Sequence, residues 1–190
     1  MEEIERIHFL DATAWRSWLI ENHEAKDAVW MICYKKSSGK ISISWSDAVD
    51  QALCFGWIDS IKKSISADAS IQFFGKRKSK STWSKINKEK IEHLTKAGLM
   101  TEAGLRSVAV AQENGSWSTL DEVEALQVPR DLERALEEAN GLPFFLQLSK
   151  SKKKVILQWI VLAKKTETRQ KRIEAIARSA AVGQTPQGLF

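Results

Sequence analysis

The residues of this chain best suited to bind a ligand lie in one basic segment, residues 76–85, which mixes cations, hydroxyl groups and a tryptophan. The segment leads into a predicted helix, and a helix N-terminus presents free N–H groups and a partial positive charge that favour an anion. The tryptophan offers a flat face for a planar ring. Together with Trp57, Asp59 and Lys63 of the predicted strand at 57–65, the segment predicts an anion-binding groove with the candidate residues Trp57, Asp59, Lys63, Arg77, Trp83, Ser84 and Lys85.

Structural roles for the same residues are an alternative. Trp83 can anchor the following helix in the core while the lysines stay solvated, and Asp59 can pair with Lys62 or Arg77 instead of acting as a general base. Two other functions also stay open. One is an enzyme of unknown reaction that uses the same cleft, and the other is a nucleic-acid-binding module, which the isoelectric point of about 9.2 favours.

The sequence lacks the short motifs that mark common catalytic and metal sites. Its three histidines, His8, His23 and His93, are scattered among different predicted elements, and neither C-x-x-C nor H-E-x-x-H occurs. A G-x-S-x-G motif and a glycine-rich phosphate loop are also missing. We therefore expect neither a metal nor a cofactor, and we assign no catalytic residue.

The composition is that of an ordinary globular protein, with 43% hydrophobic and 28% charged residues in 190. The N-terminus lacks the pattern of a signal peptide, and no apolar stretch approaches the roughly 20 residues of a membrane span. We therefore expect a cytoplasmic protein without a membrane span. Cys33 and Cys54 lie in apolar runs, which predicts reduced, buried thiols that bind no metal. The oligomeric state is left open.

Charge alternates along the chain in four blocks. Residues 60–100 hold 10 basic and 3 acidic side chains and residues 150–172 hold 9 and 1, whereas residues 1–59 and 101–149 are acidic overall. This alternation predicts either neutralisation across the folded surface or a positive surface for an anionic small molecule or nucleic acid.

The hydrophobic periodicity predicts an α+β fold, with an antiparallel sheet packed by helices in the N-terminal part and an all-helical C-terminal region. Strands are expected at residues 4–9, 28–34, 57–65 and 70–74, and Ile41 and Ile43 alternate with serines. Helices are expected from Asp11, from Ser44 or Ser46, from Trp83 to Gly98, and from Thr101 to Asn114. Four more are expected at residues 131–139, 143–148, 152–163 and 166–182.

Residues 116–129 differ from their surroundings, because glycine, serines and a proline enclose the acidic run at 121–124. This composition is typical of a linker. The sequence therefore predicts an α+β domain at residues 1–115, a linker at 116–129 and a helical region at 130–190.

Several segments together resemble the YdeI/OmpD-associated family, whose members are also described as bacteriocin-protection proteins. The resemblance is carried by residues 15–23, 34–40, 54–104 and 163–169. It implies an α+β N-terminal part and a helical C-terminal part, and the family's name suggests a role in envelope or bacteriocin stress without an assigned activity. Family members have a run like Arg-Phe-Thr-Pro-Arg where this chain has residues 73–77. Arg77 keeps the basic position, but the Thr-Pro pair is replaced; if this run forms a ligand-binding turn, the resemblance does not carry the family's ligand preference over to this chain.

Overall fold

The computed structural model describes residues 4–189, and the chain divides into two compact units, residues 1–117 and residues 118–190. The first unit contains the strands Arg6–His8 (β1), Ala28–Tyr34 (β2), Trp57–Ser64 (β3) and Ala69–Lys76 (β4). They form one sheet in the order β1-β2-β4-β3.

This sheet is mixed and not purely antiparallel as expected. β4 pairs antiparallel with both β2 and β3, but β1 pairs parallel with β2. The reason is the helix Ala12–Asn22 (α1), which connects β1 to β2, since parallel neighbours need such a crossover connection. The α+β class predicted from the sequence is confirmed. The alternating residues 41–44 form no strand and lead into the next helix.

Three further helices complete the first unit: Trp45–Cys54 (α2), Lys85–Lys96 (α3) and Glu102–Glu113 (α4). Each of the four helices follows a short polar residue whose side chain accepts a hydrogen bond from a backbone N–H of the first turn. These N-cap residues are Asp11, Ser44, Ser84 and Thr101. Of the two serines considered for α2, Ser44 is therefore the cap.

Aromatic side chains dominate the core of the first unit. Trp15, Trp57 and Trp83 are at most 1% exposed, and Phe74 is fully buried. Trp15 of α1 packs against Phe74 of β4 with 5.5 Å between ring centres, and its Nε1 donates to the Ala48 carbonyl of α2 at 3.0 Å. These large rings therefore join α1, α2 and one face of the sheet, with the buried indole N–H satisfied.

In the second unit, the described residues form only helices and connecting segments. The helices are Asp121–Glu124 (α5), Arg130–Glu138 (α6), Leu142–Gln147 (α7), Lys150–Val161 (α8) and Thr166–Ala181 (α9). Their apolar stripes meet in a separate core that includes Leu132, Leu136, Ile156, Ile160 and Ile176. The helical C-terminal part expected from the sequence is present.

The segment expected to be a linker is structured. Trp117 packs in the first core, 5.0 Å from Trp83 between ring centres, whereas Leu120 and Val123 are buried in the second core. Glu124 of α5 also pairs with Lys154 of α8. The composition of this segment hides its packing, because Asp121 and Glu122 are exposed while Leu120 and Val123, spaced three apart, are buried in the core.

Helix α4 approaches α2 closely at Gly104. A Cβ atom at this position would lie 2.2 Å from the Cys54 carbonyl oxygen, which real contacts do not allow. The same carbonyl accepts hydrogen bonds from the backbone N–H and the hydroxyl of Thr101, at 3.1 and 2.6 Å. The start of α4 is thus fixed against the end of α2.

We predict that Gly104→Ala destabilises the protein by about 1–3 kcal/mol, because α4 must move away from the Cys54 carbonyl. The free energy of unfolding should decrease although alanine is intrinsically the better helix former by about 1 kcal/mol. Urea denaturation measures it, with Ala109→Gly on the exposed side of α4 as the control for helix propensity. A Gly104→Ala protein as stable as the wild type would show that the close approach is not a constraint.

The two cysteines are free, but only Cys54 is fully buried. Cys33 was expected to be buried and is half-buried, because it packs against the edge of the core on one side and lines a cavity on the other. Burial raises the pKa of both thiols, and the positive charge of Lys62 acts in the opposite direction on Cys33.

We predict that iodoacetamide alkylates Cys33 in the native protein and reaches Cys54 only after unfolding. Because the thiolate is the reactive form and burial raises the pKa of Cys33, its alkylation rate should keep increasing at pH values where an ordinary exposed thiol is already fully deprotonated. Peptide mass mapping over a time course measures both sites. Equal alkylation of the two cysteines in the folded protein would contradict the burial described above.

Candidate functional site

The basic segment 76–85 begins where β4 ends, and two contacts fix its course. The Arg77 N–H donates to the Gly56 carbonyl at 2.9 Å. The Ser79 carbonyl accepts from Asn114 Nδ2 at 2.8 Å and from the Ser116 hydroxyl at 3.2 Å, which ties the segment to the end of α4. The segment is therefore a positioned loop rather than a solvated tail of β4.

Arg77 turns inward from this loop. Its guanidinium carbon lies 3.6 Å from the centre of the Trp83 ring, a close cation–π stack. Nη2 donates to the Thr82 carbonyl, but Nε and Nη1 are buried without a hydrogen-bond partner among the described residues. Burial lowers the pKa of Arg77 to about 10, while the negative charge of Asp59 acts in the opposite direction. Arg77 is therefore charged at neutral pH.

Arg77 and Trp83 line a cavity of about 260 Å³, which we call the Arg77 cavity. Lys78 and Ser79 complete the wall contributed by the loop. The opposite wall is one face of α4, formed by residues at the i, i+3, i+4, i+7 spacing of a helical stripe: Ala103, Arg106, Ser107 and Val110.

The walls of the Arg77 cavity carry positive charge and hydroxyl groups, and none of its lining residues is acidic. Arg106 pairs with Glu102 at 2.6 Å, but both side chains are largely exposed, so the pair is weak. The Ser107 hydroxyl donates to the Gly104 carbonyl at 2.8 Å and keeps its lone pairs for other donors. The cavity therefore suits an anion with an apolar part that contacts Trp83 and Val110.

The other candidate residues do not join Arg77 and Trp83 in this cavity. Trp57 is in the core, where its Nε1 donates to the His23 carbonyl at 3.3 Å. Ser84 is the N-cap of α3, and Lys85 is exposed, with its Nζ 3.8 Å from Glu89. Lys63 lies elsewhere on the sheet, with its Nζ 5.1 Å from the centre of the Trp30 ring.

Asp59 connects two side chains of a second cavity. Its Oδ2 accepts hydrogen bonds from Trp45 Nε1 at 2.9 Å and from Gln72 Nε2 at 3.4 Å. Trp45 and Gln72 line a cavity of about 630 Å³ at the end of the core face of the sheet, which we call the Trp45 cavity. Asp59 therefore positions groups of this cavity and forms no ion pair with Arg77.

A β-bulge decides which lysine enters the Trp45 cavity. Asp59 lies opposite Phe74 and Lys62 opposite Gln72, and the register of β3 changes between them. Positions 59 and 62 therefore face the same side of the sheet, which uninterrupted alternation would forbid. Lys62 lines the cavity, whereas Lys63, opposite Ile71, faces the other side.

The α4 wall of the Arg77 cavity and most of the Trp45 cavity were not predicted from the sequence. The α4 wall could have been recognised from the helical stripe of α4. Arg106 and Ser107 occupy positions in this stripe where a fully buried face would have apolar residues. For Lys62 the sequence held no comparable signal, since a bulge depends on the pairing of strands.

The described residues contain no group of three or more histidine, cysteine, aspartate or glutamate side chains arranged to hold a metal ion. Within residues 4–189, none of the helices combines the length and hydrophobicity that a membrane crossing requires.

Comparison with known families assigns the two parts of the chain separately. Residues 7–107, more than half of the chain, match the domain of unknown function DUF8412, and residues 125–183 match the family described as bacteriocin-protection, YdeI or OmpD-associated. No curated protein and no solved structure matches the chain. All seven candidate residues lie in the first match, and residues 163–169 lie in the second. The chain therefore belongs to the DUF8412 family and is related to the YdeI/OmpD-associated, bacteriocin-protection family through residues 125–183.

Proposed function

We propose that this protein is a non-enzymatic binding protein that holds a small anionic ligand in the Arg77 cavity. The observation that carries the proposal is the buried Nε and Nη1 of Arg77, which lack a partner among the described residues and belong to a side chain that lines the cavity. Burying a charged donor without an acceptor is costly. An anion in the cavity would supply both an acceptor and a counterion, in a charge-assisted contact.

The size and walls of the Arg77 cavity favour a small carboxylate or phosphate ester. Its volume of about 260 Å³ lies just below the range of roughly 300–1,000 Å³ that is typical of ligand pockets, which limits the ligand to a small molecule. Arg77, Lys78 and Arg106 would face the anionic group, and the hydroxyl groups of the lining serines would add hydrogen bonds. The ring of Trp83 and the side chain of Val110 would contact the apolar part of the ligand.

The enzyme alternative receives less support from these residues. Acyl or phosphoryl transfer and hydrolysis need a nucleophile with a base, or a general acid and base pair. The residues that line the Arg77 cavity include neither histidine, cysteine nor a carboxylate. Binding explains the arrangement without a reacting group.

The nucleic-acid alternative is weakened by the pairing of the basic residues. Lys76 pairs with Asp27 at 2.9 Å, Lys85 lies 3.8 Å from Glu89, and Lys90 pairs with Asp50. A nucleic-acid surface draws its affinity from cations that are free to neutralise phosphates. Among the other cations of the first unit, Arg77 and Lys78 line the Arg77 cavity, and Lys35, Lys36 and Lys62 line the Trp45 cavity, so these cations lie around two cavities and do not form one open face.

We further infer a protective or stress-response role in the cytoplasm. The match of residues 125–183 to a family described as bacteriocin-protection supports the protective part of this inference, and the compartment rests on the sequence alone. A protein that binds a small anion can serve such a role as a sensor or a carrier, and either needs only reversible binding.

We predict that sulfate stabilises the wild type and that Arg77→Gln removes most of this effect. A ligand at about 100 times its Kd adds about 2.7 kcal/mol, and each kcal/mol shifts the Tm of a protein of this size by roughly 2–4 °C. The measurement is the sulfate-induced increase in Tm, with sodium chloride at equal ionic strength as reference. Lys80→Gln is the matched control, because Lys80 belongs to the same segment and does not line the cavity.

Comparing increments rather than absolute Tm values allows for any change in stability that Arg77→Gln itself causes. Arg106→Gln, on the opposite wall, should reduce the increment by a smaller amount. Equal increments in the wild type and Arg77→Gln, or no increment in the wild type, would refute the proposed site.

We also predict that sulfate affinity is constant between about pH 6 and about pH 8, because histidine titrates in this range and none lines the cavity. The affinity should decline as the pH approaches about 10, the pKa of Arg77, because the side chain loses its proton there. A bound anion favours the charged form and therefore raises this pKa in the complex. Calorimetric titration measures this profile. A marked loss of affinity between pH 6 and pH 8 would assign the binding to another group.

A further inference from the structure

We propose that the Trp45 cavity is a second, separate binding site for an anionic molecule with a planar ring, of the size of a nucleoside monophosphate. The cavity has about 630 Å³, well above the space that a bare phosphate or sulfate needs. It shares no lining residue with the Arg77 cavity, so the inference stands apart from the function proposed above.

The anionic group is indicated by the charge of the walls. Lys35, Lys36 and Lys62 line the cavity, and none of its lining residues is acidic. The two nearby carboxylates already accept hydrogen bonds: Asp59 from Trp45 and Gln72, and Asp47 from the Ser44 hydroxyl at 2.7 Å. The bulge in β3 places Lys62 on this side of the sheet, and bulges often re-aim a side chain in this way near functional sites.

The planar ring is indicated by Trp45. This residue is 52% exposed although it is a tryptophan, and it lines the cavity. The hydrogen bond from its Nε1 to Asp59 at 2.9 Å holds the ring in place, so the ring offers a fixed stacking surface. Stacking of a base on an aromatic side chain contributes about 1–3 kcal/mol. An exposed but fixed aromatic ring is more easily explained by a ligand than by packing.

Polar groups able to bind the edge of such a ring are also present. Gln72 is only 3% exposed and lines the cavity, with Nε2 directed to Asp59, so its orientation is defined. Ser70 lies opposite Cys33 in the sheet, and both line the same cavity. A buried amide together with hydroxyl groups gives a ring both donors and acceptors.

Cys33 supplies a local readout in the full-length protein. Adenosine 5′-monophosphate is the probe, and its protection of Cys33 from iodoacetamide is measured by mass mapping. Adenosine, which lacks the phosphate, and ribose 5-phosphate, which lacks the base, form the two comparison arms. We expect adenosine 5′-monophosphate to slow alkylation several-fold, and the two fragments to require much higher concentrations for the same protection.

Lys62→Gln and Lys63→Gln form a matched pair, since the two lysines are neighbours on β3 that face opposite sides of the sheet. In Lys62→Gln, the loss of one charge-assisted contact should raise the concentration of adenosine 5′-monophosphate that gives half-maximal protection of Cys33 about tenfold or more. In Lys63→Gln, this concentration should be the same as in the wild type. Trp45→Ala should weaken the binding of the nucleotide and leave the binding of ribose 5-phosphate unchanged. Calorimetric titration of the same variants checks the affinities without the thiol chemistry.

Each arm has an outcome that overturns the proposal. If adenosine 5′-monophosphate neither protects Cys33 nor binds in calorimetric titration, the proposed site does not exist. Equal effects of the two lysine substitutions would show that only the net charge of the protein matters. Equal binding of adenosine and of adenosine 5′-monophosphate would show that the site does not recognise an anionic group. Loss of nucleotide binding in Arg77→Gln would place the nucleotide in the Arg77 cavity instead. That last result would leave the function proposed for the Arg77 cavity intact while refuting this one.

Discussion

The burial of the Arg77 guanidinium against the ring of Trp83 is the constraint on which the first unit's candidate site depends. A charged group taken out of water must find compensation, and here the stack and one hydrogen bond to Thr82 supply only part of it. The loop must therefore keep the cation beside an open space and not inside the core. Trp83 is buried in the core and also stacks on the cation, so its structural role coincides with the binding role that we propose for it.

The opposite wall exists only because α4 can come close. Gly104 and the capping residue Thr101 hold the start of α4 on the Cys54 carbonyl, and Asn114 at its other end holds the loop through the Ser79 carbonyl. The stripe of α4 that would otherwise be apolar carries Arg106 and Ser107. A contact between two helices and a capping interaction thus set the width of the Arg77 cavity, although neither Gly104 nor Thr101 lines it.

Local chemistry made much of the fold predictable. The strand at 28–34 was predicted with the bounds that the structure has, and the N-cap residues marked the starts of α1, α3 and α4. The features that were not predicted depend on contacts between residues that are distant in sequence. The parallel pairing of β1, the bulge between Asp59 and Lys62 and the half-exposure of Cys33 follow from the assembly of the sheet. Of the candidate residues, Arg77 and Trp83 are close in sequence and come together, whereas Lys63 was grouped with them by charge alone.

The alternating charge blocks are explained by pairing within each unit. In the first unit, Lys76 and Lys90 of the basic block pair with Asp27 and Asp50 of the acidic block. In the second unit, the basic block pairs with the acidic one through Lys154 with Glu124 and Arg169 with Asp131.

Arg169 holds Asp131 through two hydrogen bonds of 2.8 Å, and these keep the pKa of that carboxyl below its usual range. Neutralisation, one of the two interpretations of the charge pattern, therefore accounts for these cations. In the first unit it does not account for the cations that line the two cavities, whose linings contain no acid. Like charges placed around one cavity repel one another, and the anions proposed above would relieve that repulsion.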